Sequence, residues 1–166
     1  RVNIAKAYTI EATQKFGNLQ LTTPNFANRN YEIQTIELNP KLSYINGTLF
    51  RISGIYSWQQ KKNNQVYGGE QSISSSITTE LRYNARNNTA LIAGFTWNNI
   101  QYTGLTNSAV SYIMLEGLLP GNNYLWNLGF TRRLLNNLEL SIEYEGRKPG
   151  ETRVIHTGRA SIRALL

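Results

Sequence analysis

The chain contains no cysteine and no aspartate, and it has a single histidine among its 166 residues. Without cysteine, neither a disulfide framework nor a thiolate metal site can form. The single histidine, His156, cannot provide a coordination sphere for a metal ion. It also has no aspartate to orient it, as a serine–histidine hydrolase would need. We therefore expect that the protein is not an enzyme and binds no cofactor.

Long apolar runs are also absent. No stretch approaches the roughly 18 apolar residues that mark a membrane-spanning helix. A strand that crosses a bilayer alternates apolar and polar side chains, and its signal in the sequence is much weaker. The net charge of +7 comes from scattered basic residues, not from a block. This excess is compatible with an anionic lipid or polysaccharide surface.

The dominant pattern in the sequence is alternation with a period of two. In residues 70–84 every even-numbered side chain is polar, whereas the odd-numbered ones include Ile73, Ile77 and Leu81. Successive side chains of a strand point to opposite faces, so this segment is a strand with one polar side. Similar patterns predict strands over 5–16, 31–45, 48–59, 89–102, 108–116, 122–133, 137–145 and 153–166. We expect no amphipathic helix.

Alternation alone does not distinguish a membrane barrel from a soluble β-sandwich or small soluble barrel. The apolar face points outward to lipid in the first and inward to the core in the others. Several predicted strands run for about ten residues, the length that a tilted strand needs to cross a bilayer. Soluble strands average roughly five to six residues. The apolar face is also rich in aromatic residues, which favours a lipid-facing wall. Its predicted members are Phe50, Tyr56, Trp58, Tyr124, Trp126, Phe130, Leu140, Ile142 and Tyr144.

The polar faces carry charges of both signs, which would line the lumen of a barrel. Folding the tail about residues 147–152 predicts Glu145 opposite Arg153 and Glu139 opposite Arg159. The arginines would either favour anions in a pore or neutralise the glutamates. Aromatic and arginine side chains lie on opposite faces, which argues against nucleic-acid binding. The predicted lumen-facing network is Arg51, Glu80, Arg82, Arg133, Glu139, Glu143, Glu145, Arg153, Arg159 and Arg163.

The tail carries a resemblance to a known family. Residues 142–150 (IEYEGRKPG), 155–160 (IHTGRA) and 163–166 (RALL) resemble the end of large outer-membrane β-barrel proteins of the Bacteroidota, which are Gram-negative bacteria. The resemblance implies a C-terminal strand that ends at the periplasmic face, where the barrel assembly machinery recognises its clients. It also implies location in the cell outer membrane, with lipid, lipopolysaccharide and other outer-membrane subunits as partners.

The fold expected from these patterns is an all-β, antiparallel, up-and-down transmembrane β-barrel. Residues 1–30 would form an N-terminal strand and loop segment leading into the barrel, and 31–166 the barrel strands. The count is about eight strands, which could close as a small barrel, or the chain is the C-terminal part of a larger one. We favour the larger barrel, because the strand-like pattern begins abruptly. The expected role is structural, as an assembly subunit, or in transport. The alternative is a soluble β-sandwich or small barrel that acts as a binding module on the cell surface.

Overall fold

The computed structural model describes residues 2–26, 29–85, 88–135 and 137–164. Residues 1, 27, 28, 86, 87, 136, 165 and 166, which belong to the predicted segments 1–30 and 31–166, lie outside this description. The strands are β1 (Val2–Ala5), β2 (Tyr8–Leu21), β3 (Tyr31–Asn46), β4 (Phe50–Asn63), β5 (Gln71–Ala85), β6 (Thr89–Thr103), β7 (Gly121–Leu135), β8 (Leu138–Lys148) and β9 (Ile155–Ala164). One α-helix, α1 (Ala109–Leu115), and a short 3₁₀ turn at Gln65–Tyr67 complete the described elements.

The nine described strands form one sheet in which each strand pairs with its neighbours in the sequence, from β1 to β9. Every pair is antiparallel. The prediction of an all-β, antiparallel, up-and-down fold is therefore confirmed. The sheet is not closed within the described residues, since β1 and β9 are its two edges.

The strands are long because the alternation that builds them is long. Strands β2 to β7 each contain 14 to 16 residues. Pro40 lies inside β3, yet the register with β4 continues unchanged, with Leu38 opposite Trp58 and Lys41 opposite Ile55. Strand β4 also runs to Asn63, four residues beyond the end of the strand predicted over 48–59, into a stretch rich in lysine and asparagine. Pairing with β3 and β5 extends the strand beyond the part that alternates clearly.

The connections differ between the two ends of the sheet. At one end, three residues separate β3 from β4 and β5 from β6, and two separate β7 from β8. We call this the turn end. At the other end the connections comprise residues 22–30, 64–70, 104–120 and 149–154. We call this the loop end. The longest connection, 104–120, contains α1.

The strand predicted over 108–116 is wrong, and so is the expectation that the chain has no amphipathic helix, because α1 occupies this segment. The Ser108 side chain caps the helix by accepting a hydrogen bond from the Ser111 backbone N–H, and the Ser111 hydroxyl in turn accepts one from the Ser108 backbone N–H. This reciprocal arrangement is a capping box. Val110 and Met114 lie four residues apart, so they share one helical face, and both are buried.

The register of the last hairpin also differs from the prediction. The observed pairs are Glu139 with Arg163, Glu143 with Arg159 and Glu145 with Thr157. Arg159 therefore faces Glu143 instead of Glu139, and Arg153 lies in the connection 149–154, outside β9. The centre of the turn between β8 and β9 lies two residues later than expected, so the residue opposite each position of β8 lies four residues later in the sequence. Because this shift is even, every side chain keeps its predicted face.

The buried hydrophobic cluster is small and lies on one face near the loop end. It consists of Tyr31 and Ile33 from β3 with Val110 and Met114 from α1, and Tyr102 and Ile113 pack against it. Most large apolar side chains of the other face are at least partly exposed. The sheet thus buries side chains beneath α1, and no described element covers its more hydrophobic face.

Candidate functional site

The strand register defines two chemically different faces of the sheet. Side chains that share a face with Arg51, Arg82 and Glu143 form what we call the polar face. Nine of the ten residues of the predicted lumen network lie on it: Arg51, Glu80, Arg82, Arg133, Glu139, Glu143, Glu145, Arg159 and Arg163. Arg153 precedes β9 and has no place in the ladder.

The opposite surface, which we call the apolar face, contains every residue of the predicted wall. These are Phe50, Tyr56, Trp58, Tyr124, Trp126, Phe130, Leu140, Ile142 and Tyr144. Large side chains remain exposed here, with Leu42 at 52%, Leu128 at 46% and Phe95 at 46% of their full area. Neither α1 nor another sheet covers this face within the described residues.

Aromatic side chains on the apolar face form two rows. The row nearer the loop end, the tryptophan row, includes all three tryptophans and consists of Tyr56, Trp58, Trp97, Tyr124 and Trp126. The row nearer the turn end, the tyrosine–phenylalanine row, consists of Tyr8, Tyr44, Phe50, Tyr83 and Phe130. In the latter, the ring centroids of Tyr8 and Tyr44 lie 5.0 Å apart, and those of Tyr44 and Phe50 6.3 Å apart.

The side chains between the two rows are mainly aliphatic, including Leu42, Leu81 and Leu128. In β4, eight residue steps separate Phe50 from Trp58, or about 26 Å along the strand at roughly 3.3 Å per residue. Beyond the tryptophan row the same face turns polar. Its members there include Gln34, Gln60, Lys62, Asn99 and Gln101. The apolar band therefore ends before the strands do.

His156 belongs to the apolar face and contacts aromatic side chains. Its ring stacks on Tyr144 with centroids 6.0 Å apart, and its Nδ1 lies 2.8 Å from the Tyr144 hydroxyl. The Trp126 indole donates to that hydroxyl over 3.3 Å, and a Cβ at Gly146 would collide with the indole. Glycine therefore allows Trp126 to lie flat across β8. These contacts suit a packing role, and the expectation that the chain is not an enzyme stays a prediction.

Several glutamates of the polar face have lysine partners that the sequence reasoning missed. Nζ–Oε distances are 3.3 Å for Lys15–Glu37 and 3.5 Å for Lys41–Glu80. Glu143 does have an arginine partner, Arg159, at 2.7 Å. The sequence predicted arginines as the partners of the glutamates. The lysines were missed because the contacts of β2 and β3 depend on a register that alternation does not specify. Exposed pairs of this kind contribute about 0–1 kcal/mol each.

Arg51 and Arg82 lie directly opposite each other on the polar face. Neither makes an ion pair or side-chain hydrogen bond within the part of the chain that the structure describes. Like charges in direct register repel mildly. The polar face is consequently more positive at the turn end than in its middle, where lysine–glutamate pairs balance.

Helix α1 lies on the polar face, and Lys61 holds its C-terminal end. Lys61 is buried, and its Nζ donates to the Met114 carbonyl over 3.2 Å and to Glu116 Oε1 over 2.6 Å. A cation there also complements the negative end of the helix. Tyr102, which lies beyond the level of the tryptophan row, packs against the hydrophobic cluster of β3 and α1. Burial raises the pKa of its phenol, and the nearby Glu70 carboxylate acts in the same direction, so this phenol stays neutral.

Lys61→Met is expected to weaken the docking of α1 by about 1–2 kcal/mol, because the Met114 carbonyl loses its charged donor while the side chain keeps its apolar stem. Glu116 is mostly exposed and can be solvated, which limits the loss. Hydrogen exchange of the α1 amides measures the change. Lys62→Met, on the apolar face one residue along, is the matched control. Equal protection of α1 in the two variants would contradict the role of Lys61.

No protein-family model matches this chain, and neither a curated protein nor a solved structure is significantly similar to it. Among the described residues, no helix is long and apolar enough to cross a membrane. In the same residues, no three side chains of His, Cys, Asp or Glu come together as a metal site.

Proposed function

We propose that this protein is an outer-membrane β-barrel protein, or part of one, with a structural, assembly-subunit or transport role. The observation that carries the proposal is the reversed polarity of the sheet. No described element covers the apolar face, whereas α1 packs on the polar face. In water, an exposed surface of this kind would be an aggregation hazard, since soluble proteins rarely expose large contiguous apolar patches. In a bilayer the acyl chains cover it.

The dimensions of the apolar face support this proposal. Its band in β4, nine residues from Phe50 to Trp58, matches the roughly 9–11 residues that a tilted strand needs to cross the hydrocarbon core. Aromatic rows at both borders are typical of membrane barrels, where such rings lie at the lipid–water interface. The lipid-facing wall and the lumen would then be the apolar and polar faces described above.

The asymmetry of the connections supports an orientation. Bacterial outer-membrane barrels have short periplasmic turns and longer extracellular loops. By that rule the turn end would face the periplasm and the loop end, with α1, the exterior. Strand β9 runs toward the turn end, so this strand would end on the periplasmic side, as the resemblance of the tail implies. Lipid and lipopolysaccharide are then the proposed partners at the wall.

A bilayer also places a demand on the edges of the sheet. Backbone N–H and C=O groups facing lipid must be hydrogen-bonded, so a spanning sheet has to close. The proposal therefore requires both edge strands, β1 and β9, to be paired in the membrane. The remaining strands would come from a larger barrel or from another outer-membrane subunit. The polar face, with its lysine–glutamate pairs and its arginines, would line the interior.

Cell fractionation tests the proposal. Outer membranes are washed with carbonate and extracted with detergent, and the extract is run heated and unheated on a gel. We expect the protein in the washed outer membrane and a band whose mobility changes on heating, as folded barrels resist detergent. Release into the soluble fraction would overturn the proposal. The apolar face would then have to be covered by a protein partner, as in a soluble sandwich or binding module.

A further inference from the structure

The two edges of the sheet expose apolar side chains more than its middle does. Phe16 in β2 is 73% exposed and Ile162 in β9 is 69% exposed, against 46% for Leu128 in β7. Every described residue of β9 is exposed. A strand edge also presents backbone N–H and C=O groups that a further strand can pair. The edges are therefore the surfaces on which a partner strand would bind.

Strand β1 covers only the turn-end part of the outer edge of β2. Within the described residues, β1 pairs with Tyr8, Thr9 and Ile10. Residues 12–21 of β2 are paired there on the β3 side alone. This free edge is ten residues long, as is β9. Because successive strands alternate in direction, β2 and β9 run in opposite directions, and their free edges suit an antiparallel ladder.

Barrel geometry predicts where β9 would meet such an edge. A row of directly paired residues crosses the sheet from Gly158 in β9 to Tyr8 in β2. The strands of a barrel are tilted by about 35–45°, so a row perpendicular to them shifts along the strands as it goes round. The seven spacings from β2 to β9 and the closing one, at about 4.8 Å each, give a shift of roughly 8–12 residues.

The direction of this shift depends on which face is outward. The Ile45 N–H donates to the Ala7 carbonyl, so the backbone groups of polar-face residues in β3 point toward β2. For L-residues this places β4 to the left of β3, seen from the apolar side with the loop end upward. Barrel strands coil in a right-handed sense. With the apolar face outward, β9 then shifts toward the loop end of β2, where the free edge lies. With that face inward, β9 would shift past the start of β2.

The charges of the polar face select one shift within the range. Only an even shift keeps every side chain on its face. A shift of eight residues places Arg159 opposite Lys15, and a shift of twelve places Arg163 opposite Lys15. Like charges directly opposite each other are destabilising. A shift of ten places Ser161 opposite Lys15 instead, and it matches the ten residues of β9 to residues 12–21.

Helix α1 bears on whether the two edges belong to one copy of the chain. An eight-stranded barrel has an interior just wide enough for side chains. A helix with its side chains is about 10–12 Å across, and α1 packs on the polar face against Ile33. We propose that a second copy of this chain completes the barrel, with β9 of each copy pairing with residues 12–21 of the other. Strands β2 to β9 of two copies give sixteen strands, enough for an open interior.

Disulfide cross-linking tests this pairing, and the chain suits the method because it contains no cysteine. The single variants Lys15→Cys and Ser161→Cys are expressed together, and their outer membranes are oxidised with copper phenanthroline and run on a non-reducing gel. Residues directly opposite each other in a ladder are close enough for a disulfide. We expect a band of twice the mass of the chain from the mixture, and no such band from either variant alone.

The matched control replaces Ser161→Cys by Thr157→Cys, on the same face of β9. The four intervening residue steps span about 13 Å, which is beyond the reach of a disulfide. This mixture should cross-link several-fold less, and equal cross-linking would contradict the register.

The double variant Lys15→Cys/Ser161→Cys separates the sources of the partner strand. We expect it to form the band of doubled mass as well. Cross-linking within a single copy would overturn the proposal in favour of closure of one chain on itself. Absence of cross-linking from both the mixture and the double variant would also overturn it, since other strands would then cover the two edges.

This inference rests on the proposed function, and the two fail in different ways. Heat-modifiable mobility in the washed outer membrane without cross-linking would refute the second copy alone. Release into the soluble fraction would refute the membrane location, whatever the cross-linking shows.

Discussion

Leu128→Arg is expected to destabilise the folded protein in lipid by about 2–4 kcal/mol, the cost of an arginine near the middle of a bilayer on the outer wall of a barrel. Leu128 lies on the apolar face of β7, between Trp126 and Phe130, and its partners across the ladder are Ala93 and Tyr144. None of these neighbours could neutralise a guanidinium group. Urea unfolding in phosphatidylcholine vesicles, followed by tryptophan fluorescence, measures the loss.

The matched control is Asn127→Arg, one residue earlier and on the polar face. It should change the unfolding free energy much less, because an arginine there joins a surface that already contains charges. If the protein were soluble, Leu128→Arg would instead have only a small effect on the unfolding free energy. Leu128 is 46% exposed, and a substitution at such a surface position usually changes stability by within about 0.5 kcal/mol. Comparable small effects of the two variants would therefore reject the membrane-facing assignment.

Ile33→Ala is expected to release α1 from the sheet at a cost of about 2–3 kcal/mol, toward the low end for truncation of a buried isoleucine. Ile33 is only 2% exposed and packs in the cluster with Val110 and Met114. Because this cluster is small, we expect local release of α1 and not unfolding of the sheet. Limited proteolysis within residues 104–120, together with hydrogen exchange of α1, measures the effect.

Ile36→Ala provides the comparison, since it removes the same atoms from the apolar face of the same strand. Ile36 is 38% exposed, so its truncation should cost less than about 1.5 kcal/mol and leave α1 protected. If cleavage in 104–120 rose equally in both variants, the packing of α1 against β3 would not be what holds the helix.

The strands and their faces could be predicted from the sequence because the side chains of a strand alternate strictly. Residues 70–84 correspond closely to β5, and all nine predicted wall residues share one face. Even the wrong register of the last hairpin preserved this result, because it differed by four positions. The face on which a side chain lies depends only on whether its position in the strand is odd or even, and the local sequence specifies this.

Partners across the sheet were predicted poorly for a different reason. Lys15 meets Glu37 only because β2 pairs with β3 in one particular register, and a connection of nine residues separates those strands. Lys61 meets Glu116 only because α1 folds back over the polar face. Neither contact leaves a pattern in the sequence. The capping box of Ser108 and Ser111 could have indicated the start of a helix. A strand was predicted instead, because the seven residues of α1 are too few to separate a helical pattern from alternation.

The sequence by itself determined an antiparallel sheet of long strands with one polar and one apolar face, because that follows from the local order of side chains. Only the tertiary structure decided which face is covered. Alternation is equally compatible with an apolar face turned inward or outward. The position of α1 over Ile33 and Lys61 shows that the helix covers part of the polar face, whereas Leu42 and Leu128 on the other face are exposed within the described residues. Burial depends on packing between segments distant in the chain, and no local pattern encodes it.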